Sequence, residues 1–249
     1  MQTPAVTVEL FGEMWYIIKR VIKMMSKKRT IVSLILNIFI FISTTIVIIS
    51  HFFEEPGVLI RHGYETFRFF TTDSNVLAAI CSLIVAVNDI CLLAKKTDRL
   101  SFPAVMLKYI GTVSVMLTFC TTMFFLVPLF GTSIIMGKYA IVHILTPLLS
   151  LVTFAVVENI YTIRFRFVWL GMIPMTLYGA VYLTEVVFIG EQNGGWRDFY
   201  SFNQGGRWYV TLIVMLAAVF VIALLVALFH NQMAKKNEAA QKIHPNKTA

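Results

Sequence analysis

Charge is scarce in this sequence. Charged residues make up 14% of the chain and hydrophobic residues 58%, against averages of about 25% and 45–50% in soluble domains. An ordinary soluble domain is thereby excluded, and no stretch between the apolar runs is long enough to hold one. Cysteine is nearly as sparse. Cys81, Cys91 and Cys120 all fall inside apolar runs, in odd number and without a CxxC pair, so they read as small core residues rather than a disulfide framework. There is no HxxxH or HExxH pattern, so no metal site is expected. Gly194-Gly195 and Gly205-Gly206 lack the Lys-Ser/Thr that completes a phosphate-binding loop, and no cofactor is implied. No internal repeat relates the two halves, which counts against an inverted-repeat transporter. The net charge of +8 forms no separate basic domain, so a nucleic-acid partner is not expected. Nor is a cleavable signal, because the first long apolar run starts only at Ile31, is too long for a signal core and lacks a small-residue cleavage site.

What the chain does have is apolar runs near the ~20 residues that span a bilayer. Six are read: Ile31–Phe53, Thr72–Ala94, Pro103–Phe130, Tyr139–Asn159, Val168–Gly190 and Trp208–His230. Basic residues sort to one side of them. Lys19, Arg20, Lys23, Lys27, Lys28 and Arg29 precede the first run. Lys95, Lys96, Arg99 and Lys108 lie between the second and third, Arg164 and Arg166 between the fourth and fifth, and Lys235, Lys236, Lys242 and Lys247 after the last. Those are sixteen of the 21 Lys and Arg, leaving Arg61, Arg68, Lys138, Arg197 and Arg207 for the other side. The excess of Lys and Arg in cytoplasmic loops then puts both termini inside.

The fold class expected is an all-α integral membrane protein of the cell membrane, a single six-helix bundle. Before it, Phe11, Met14, Trp15, Ile18, Val21, Ile22 and Met25 share one helical face. Residues 1–30 are expected to form an amphipathic helix on the cytoplasmic leaflet, or one packed against the bundle's end. Residues 31–232 form the transmembrane domain, and 233–249 a disordered basic cytoplasmic tail.

Polar side chains inside such runs are costly and mark partners or sites. The second run opens with FFTTDSN, Phe69 to Asn75. At helical spacing Thr71, Asn75, Ala78, Ser82, Val85 and Asp89 share a small, polar face that should turn inward. Thr72, Val76, Ile80, Leu83 and Val87 should face lipid or the interface. In the fourth run His143, Thr146, Ser150 and Thr153 form one stripe. Pro147 cannot donate to the His143 carbonyl, so the histidine should sit at a broken turn. The third run brings Ser114, Thr118 and Thr121, the first Asn37, Thr44 and His51, and the fifth Tyr178, Tyr182 and Glu185. The sixth is almost purely apolar and should be peripheral. Trp196 to Trp208 reads as an interfacial aromatic belt, with a lid as the alternative.

The topology places Thr71, His143 and Glu185 in the outer half of the membrane. A threonine hydroxyl needs a neighbour to take its proton, and a neutral imidazole can do so. A site bordering hydrocarbon suits an ester whose acyl chains stay in lipid while water attacks from outside. In the supporting pocket, Asp73 or Glu185 would orient His143, and Asn75 would donate to the oxyanion, with Tyr182 beside Glu185. Plainer readings stand beside these: Thr71 or Thr72 caps its helix with Asp73 in the first turn, and His143 bonds across helices. Asp89 is expected to pair with Lys95, Lys96 or Lys108 at the inner surface.

Six spans with both ends inside, an aromatic-Thr motif in FRFFTTDSN and a His closely followed by Pro in VHILTP resemble a known family. These are the androgen-induced and androgen-dependent integral membrane proteins and their bacterial six-helix relatives. The resemblance covers the span plan, with motifs of about a dozen residues. It implies hydrolysis of fatty acid esters of hydroxy fatty acids, with Thr71 as nucleophile and His143 as base, and Thr72 as the neighbouring alternative. Membrane lipids or lipid-like molecules are then the partners. The competing expectation is a non-enzymatic membrane protein, a transporter, sensor or assembly subunit, in which His143, Asp89 and Glu185 bind a ligand or carry protons.

Overall fold

The computed structural model describes residues 26–53 and 63–243, with side chains of the last helix as far as Asn237. All regular structure among the described residues is helical. Helix α1 is Lys27–Ser50, α2 Phe70–Leu93, α3 Phe102–Phe130, α4 Ile141–Val157 and α5 Phe165–Ile189. The last, α6, runs Trp208–Ile243. A short 3₁₀ segment, Gly63–Arg68, leads into α2. Five of the six are long and apolar enough to cross a membrane; α4 is the shorter apolar helix among them. The expected interfacial helix over residues 1–30 lies almost wholly outside the described residues. Only Ser26 and the start of α1 are seen, with the Ser26 hydroxyl accepting the Arg29 N–H at 3.3 Å as an N-cap. Helix α6 continues past Gln232 through AKKNEAAQKI, part of the stretch expected to be a disordered tail. Ala, Lys, Glu and Gln are good helix formers, which is the local reason the turns continue.

The bundle is apolar outside and polar within. On α1, Ile35, Ile42, Ile46 and Ile49 are exposed, while Ser33, Asn37 and Thr44 are wholly buried. With no water to satisfy them in hydrocarbon, such groups turn inward and bond across helices. Thr44 and Thr146 join α1 to α4 through their hydroxyls at 2.9 Å. Ser74 and Thr118 do the same for α2 and α3 at 2.7 Å. This arrangement suits a multi-pass membrane protein.

Helix α2 approaches α3 closely at Gly111. A Cβ built there would lie 3.2 Å from Cys81 Sγ and 3.3 Å from the Ala78 Cα, tighter than ordinary contacts allow. Gly111→Val is therefore expected to cost about 1–3 kcal/mol through overpacking, read as a lowered thermal midpoint in detergent.

Prolines follow two of the local irregularities. Pro147 has no N–H and its ring crowds the His143 carbonyl. The turn before it widens into a π-helical turn over Ile141–Leu145, with the Thr146 N–H reaching back to the Ile141 carbonyl. This is the broken turn expected at His143. Pro128 follows a second such turn, Thr122–Leu126, near the end of α3.

The face expected to turn inward on α2 does so from Asn75 on: Asn75, Ala78, Ser82, Val85 and Asp89 are all buried, while Thr71, at its start, is only half-buried. Ile80, Leu83 and Val87 are exposed, as a lipid face requires. Thr72 departs from that face. It is 3% exposed, because the Gly63–Arg68 segment folds over the first turn of α2 and the Thr66 hydroxyl meets Thr72 Oγ1 at 3.1 Å. Neither threonine caps α2. Its N-cap position is Phe69, without a side-chain bond. Lys108 also departs from expectation. Counted above among residues flanking the spans, it lies inside α3 and is 1% exposed.

Candidate functional site

At one end of the bundle the chain leaves α1, enters α2, leaves α3 and enters α4. These turns and the α5–α6 loop enclose a cavity of about 480 Å³. Phe69, Leu126, Phe130, Ile134 and Val142 make its wall apolar, and Phe199 closes it from the loop. Its polar groups are His51, Thr66, Thr71, Thr72, Ser133, Tyr139, His143 and Tyr200. Thr71 and His143, read from separate spans, thus face one cavity. Their helices are tied there by Asn75, whose Nδ2 donates to the Thr71 carbonyl at 2.8 Å and to the Val142 carbonyl at 3.2 Å.

His143 is 9% exposed, and its Nδ1 lies 2.6 Å from the Ile134 carbonyl oxygen. A carbonyl only accepts, so Nδ1 carries the hydrogen, and in the neutral ring Nε2 keeps its lone pair. The ring is aimed by that bond and by the widened turn beneath it. Thr71 is half-buried and lines the cavity together with Tyr200. The Tyr200 phenol accepts the Phe70 N–H at 3.2 Å. Burial pushes Tyr200 up to about 12, so it remains an O–H donor beside Thr71 at neutral pH.

A second line of groups runs along the same wall. His51 Nδ1 is 3.1 Å from Thr66 Oγ1, and Thr66 in turn meets Thr72. The Tyr139 ring stacks with both imidazoles, its centroid 6.2 Å from that of His51 and 6.4 Å from that of His143. His51 had stood out in the sequence only as one polar residue of the first span. Thr66 falls in a segment with no periodicity to flag it, and only the folded chain brings it under Thr72.

The other residues expected around the site lie outside the cavity lining. Asp73 is half-buried beside Tyr178 and Tyr200. Glu185 sits in a π-helical turn at the end of α5, Thr184–Ile189. The Nδ1 partner of His143 is a backbone carbonyl rather than either carboxylate. Both Asn75 amide hydrogens have carbonyl acceptors, so this side chain positions the helices instead of facing the cavity. Tyr182 is buried under the α5–α6 loop. Its hydroxyl donates to Asp198 Oδ1 at 2.9 Å and accepts the Tyr200 N–H at 3.1 Å. Asp198 also accepts the Phe202 and Asn203 N–H groups at 2.7 and 2.8 Å.

This network gives the loop a fixed seat. Tyr182 packs edge-on against Trp196 and Phe199, and the Arg68 guanidinium stands 5.9 Å from the Trp196 ring centre. The aromatic loop therefore acts as a wall of the cavity through Phe199 and Tyr200. Removing one hydroxyl tests the seat. Tyr182→Phe is expected to cost the loop about 1–2 kcal/mol, the net worth of two hydrogen bonds. Limited proteolysis of the folded protein between Trp196 and Asn203 should quicken accordingly.

No protein-family model, curated protein or solved structure matches the chain.

Proposed function

We propose that this cavity is the active site of an intramembrane hydrolase of fatty-acyl esters, with Thr71 as nucleophile and His143 as base. The observation that carries the reading is the shared cavity: a half-buried Thr71 hydroxyl and a His143 ring tied at Nδ1, so that its basic nitrogen is Nε2. Thr71 Oγ attacks the ester carbonyl while Nε2 takes its proton. The carbon–oxygen bond to the alcohol breaks as Nε2 returns the proton to the departing oxygen. Water, deprotonated by the same nitrogen, then releases the acid and restores Thr71. The Tyr200 phenol, which lines the cavity with Thr71, is the donor best situated for the developing oxyanion. Apolar walls of Phe69, Leu126, Phe130 and Ile134 suit the acyl chain. Fatty acid esters of hydroxy fatty acids, the substrates implied by the likeness to the androgen-induced membrane proteins, are the class to assay first.

The surrounding topology is part of the proposal: six spans in the cell membrane, both termini in the cytoplasm, and the cavity at the outer end. Tyr139 and Ala140 extend α4 by helical residues at its start, toward the ~20 residues that a span needs. Lys27, Lys28 and Arg29 open α1, and Lys95, Lys96 and Arg99 follow α2, all at the end away from the cavity, as cytoplasmic loops require.

The hydroxyl line Thr72–Thr66–His51 favours a second assignment, in which Thr72 attacks and His51 receives its proton through Thr66. A fluorophosphonate probe separates the two. Labelling that vanishes in Thr71→Ala and survives in Thr72→Ala supports the first; the reverse supports the second. Labelling and ester turnover unchanged in both variants would leave the cavity a binding site without chemistry.

A further inference from the structure

The opposite end of the bundle holds charges that the proposed hydrolysis does not use. Lys108, on α3, is 1% exposed, and its Nζ donates to Asn37 Oδ1 and Ser82 Oγ, each at 2.7 Å. Glu158, which ends α4, is also 1% exposed. Its Oε1 accepts from Asn37 Nδ2 at 2.6 Å and Ser33 Oγ at 3.3 Å. Its Oε2 has no partner. Asp89, on α2, is wholly buried, and both of its carboxylate oxygens lack a hydrogen-bond partner. It is within electrostatic reach of Glu158 and Lys108, with the Ser33 hydroxyl beside it.

Among the described residues the charges do not balance. Two carboxylates share one ammonium in a setting without solvent. Among the described residues the other ionisable group acting on Lys108 is Cys81, a free thiol on α2. Arg29 on α1 is directed instead to the Val156 and Val157 carbonyls and Asn159 Oδ1. His230 on α6 faces the Phe154 and Tyr161 carbonyls. An uncompensated buried carboxylate costs several kcal/mol, which a proton removes. The hydrogen bonds say which carboxyl holds it. Glu158 Oε1 already has two donors. Asp89 has no donor in hydrogen-bond range of either oxygen, so it is the carboxyl on which a proton removes an unsatisfied charge.

We propose that Asp89, Glu158 and Lys108 form a proton-binding site, in which one proton resides on Asp89. The site links α2, α3 and α4 to α1 through Ser33 and Asn37, and it lies four residues from the end of α2 at Leu93, about 6 Å by helical rise. Taking up the proton from water leaves the cluster neutral, and releasing it leaves one negative charge. The site is independent of the cavity at the other end and of the chemistry proposed there.

Infrared spectroscopy of the purified full chain in lipid nanodiscs at neutral pH tests this directly. The wild type should show the carbonyl stretch of an un-ionised carboxylic acid. Asp89→Asn, isosteric with the acid, should lose that band and keep its thermal midpoint. Glu158→Gln should lose it as well, because one carboxyl beside one ammonium needs no proton. Asp73→Asn should keep it. Absence of the band in the wild type, or its survival in Asp89→Asn, overturns the proposal. Survival undiminished in Glu158→Gln overturns the charge balance on which it rests. A thermal midpoint raised by sodium at constant ionic strength would replace the proton with a metal ion and overturn it equally.

Discussion

His143→Ala should lower kcat for a fatty-acyl ester by about a thousandfold, the middle of the range for losing a positioned general base. Its KM should change little, because the ring contributes to the transition state more than to holding the acyl chain. Thr71→Ala should abolish turnover by the covalent route. The double variant should be no slower than Thr71→Ala alone, since the proposed nucleophile and base would act as one unit. Thr71→Ser should restore part of the rate. The Ile134 carbonyl sharpens the test. It holds Nδ1–H at 2.6 Å, so substitutions that shift the Thr132–Ile135 turn should lower kcat without touching either reacting group. Additive losses in the double variant, or a His143→Ala enzyme within tenfold of wild type, would remove His143 from the mechanism.

Much of this arrangement could be read from residue spacing, and the exceptions share a cause. The buried face of α2 followed from a 3.6-residue period, because Asn75, Ser82 and Asp89 must avoid lipid. The broken turn at His143 followed from Pro147, a purely local effect. Thr72 broke the pattern because a segment outside the helix covers it: Gly63–Arg68 brings Thr66 over the first turn, and periodicity knows nothing of what packs against a helix end. The α5–α6 loop read as an aromatic belt by composition. Its seat depends on Tyr182 meeting Asp198 and the Tyr200 backbone, pairings that no spacing rule reveals. Asn75 was likewise visible as an inward polar group, yet its role in tying α2 to α4 depends on where Val142 falls.

Lys108 carries the other large expected effect, and it too was misread from sequence. A lysine near the start of a span looks like a topology signal. Inside α3, at 1% exposure, it is the cation bonded to Asn37 Oδ1 and Ser82 Oγ, within electrostatic reach of two carboxyls. Lys108→Met should destabilise the protein by about 3–5 kcal/mol, the cost of leaving a buried charge without its partner. Thermal unfolding in detergent would report it as a large fall in midpoint. The loss should be recovered in part by adding Asp89→Asn and Glu158→Gln together, which removes both acid groups and with them the stranded charge. That recovery distinguishes an electrostatic role from simple packing, because Met fills nearly the volume of Lys in all of these variants. A fall of less than about 1 kcal/mol, within the range of an exposed ion pair, would mean that the carboxyls need no cation. Failure of the two added substitutions to recover stability would place the loss in the bonds to Asn37 and Ser82 instead.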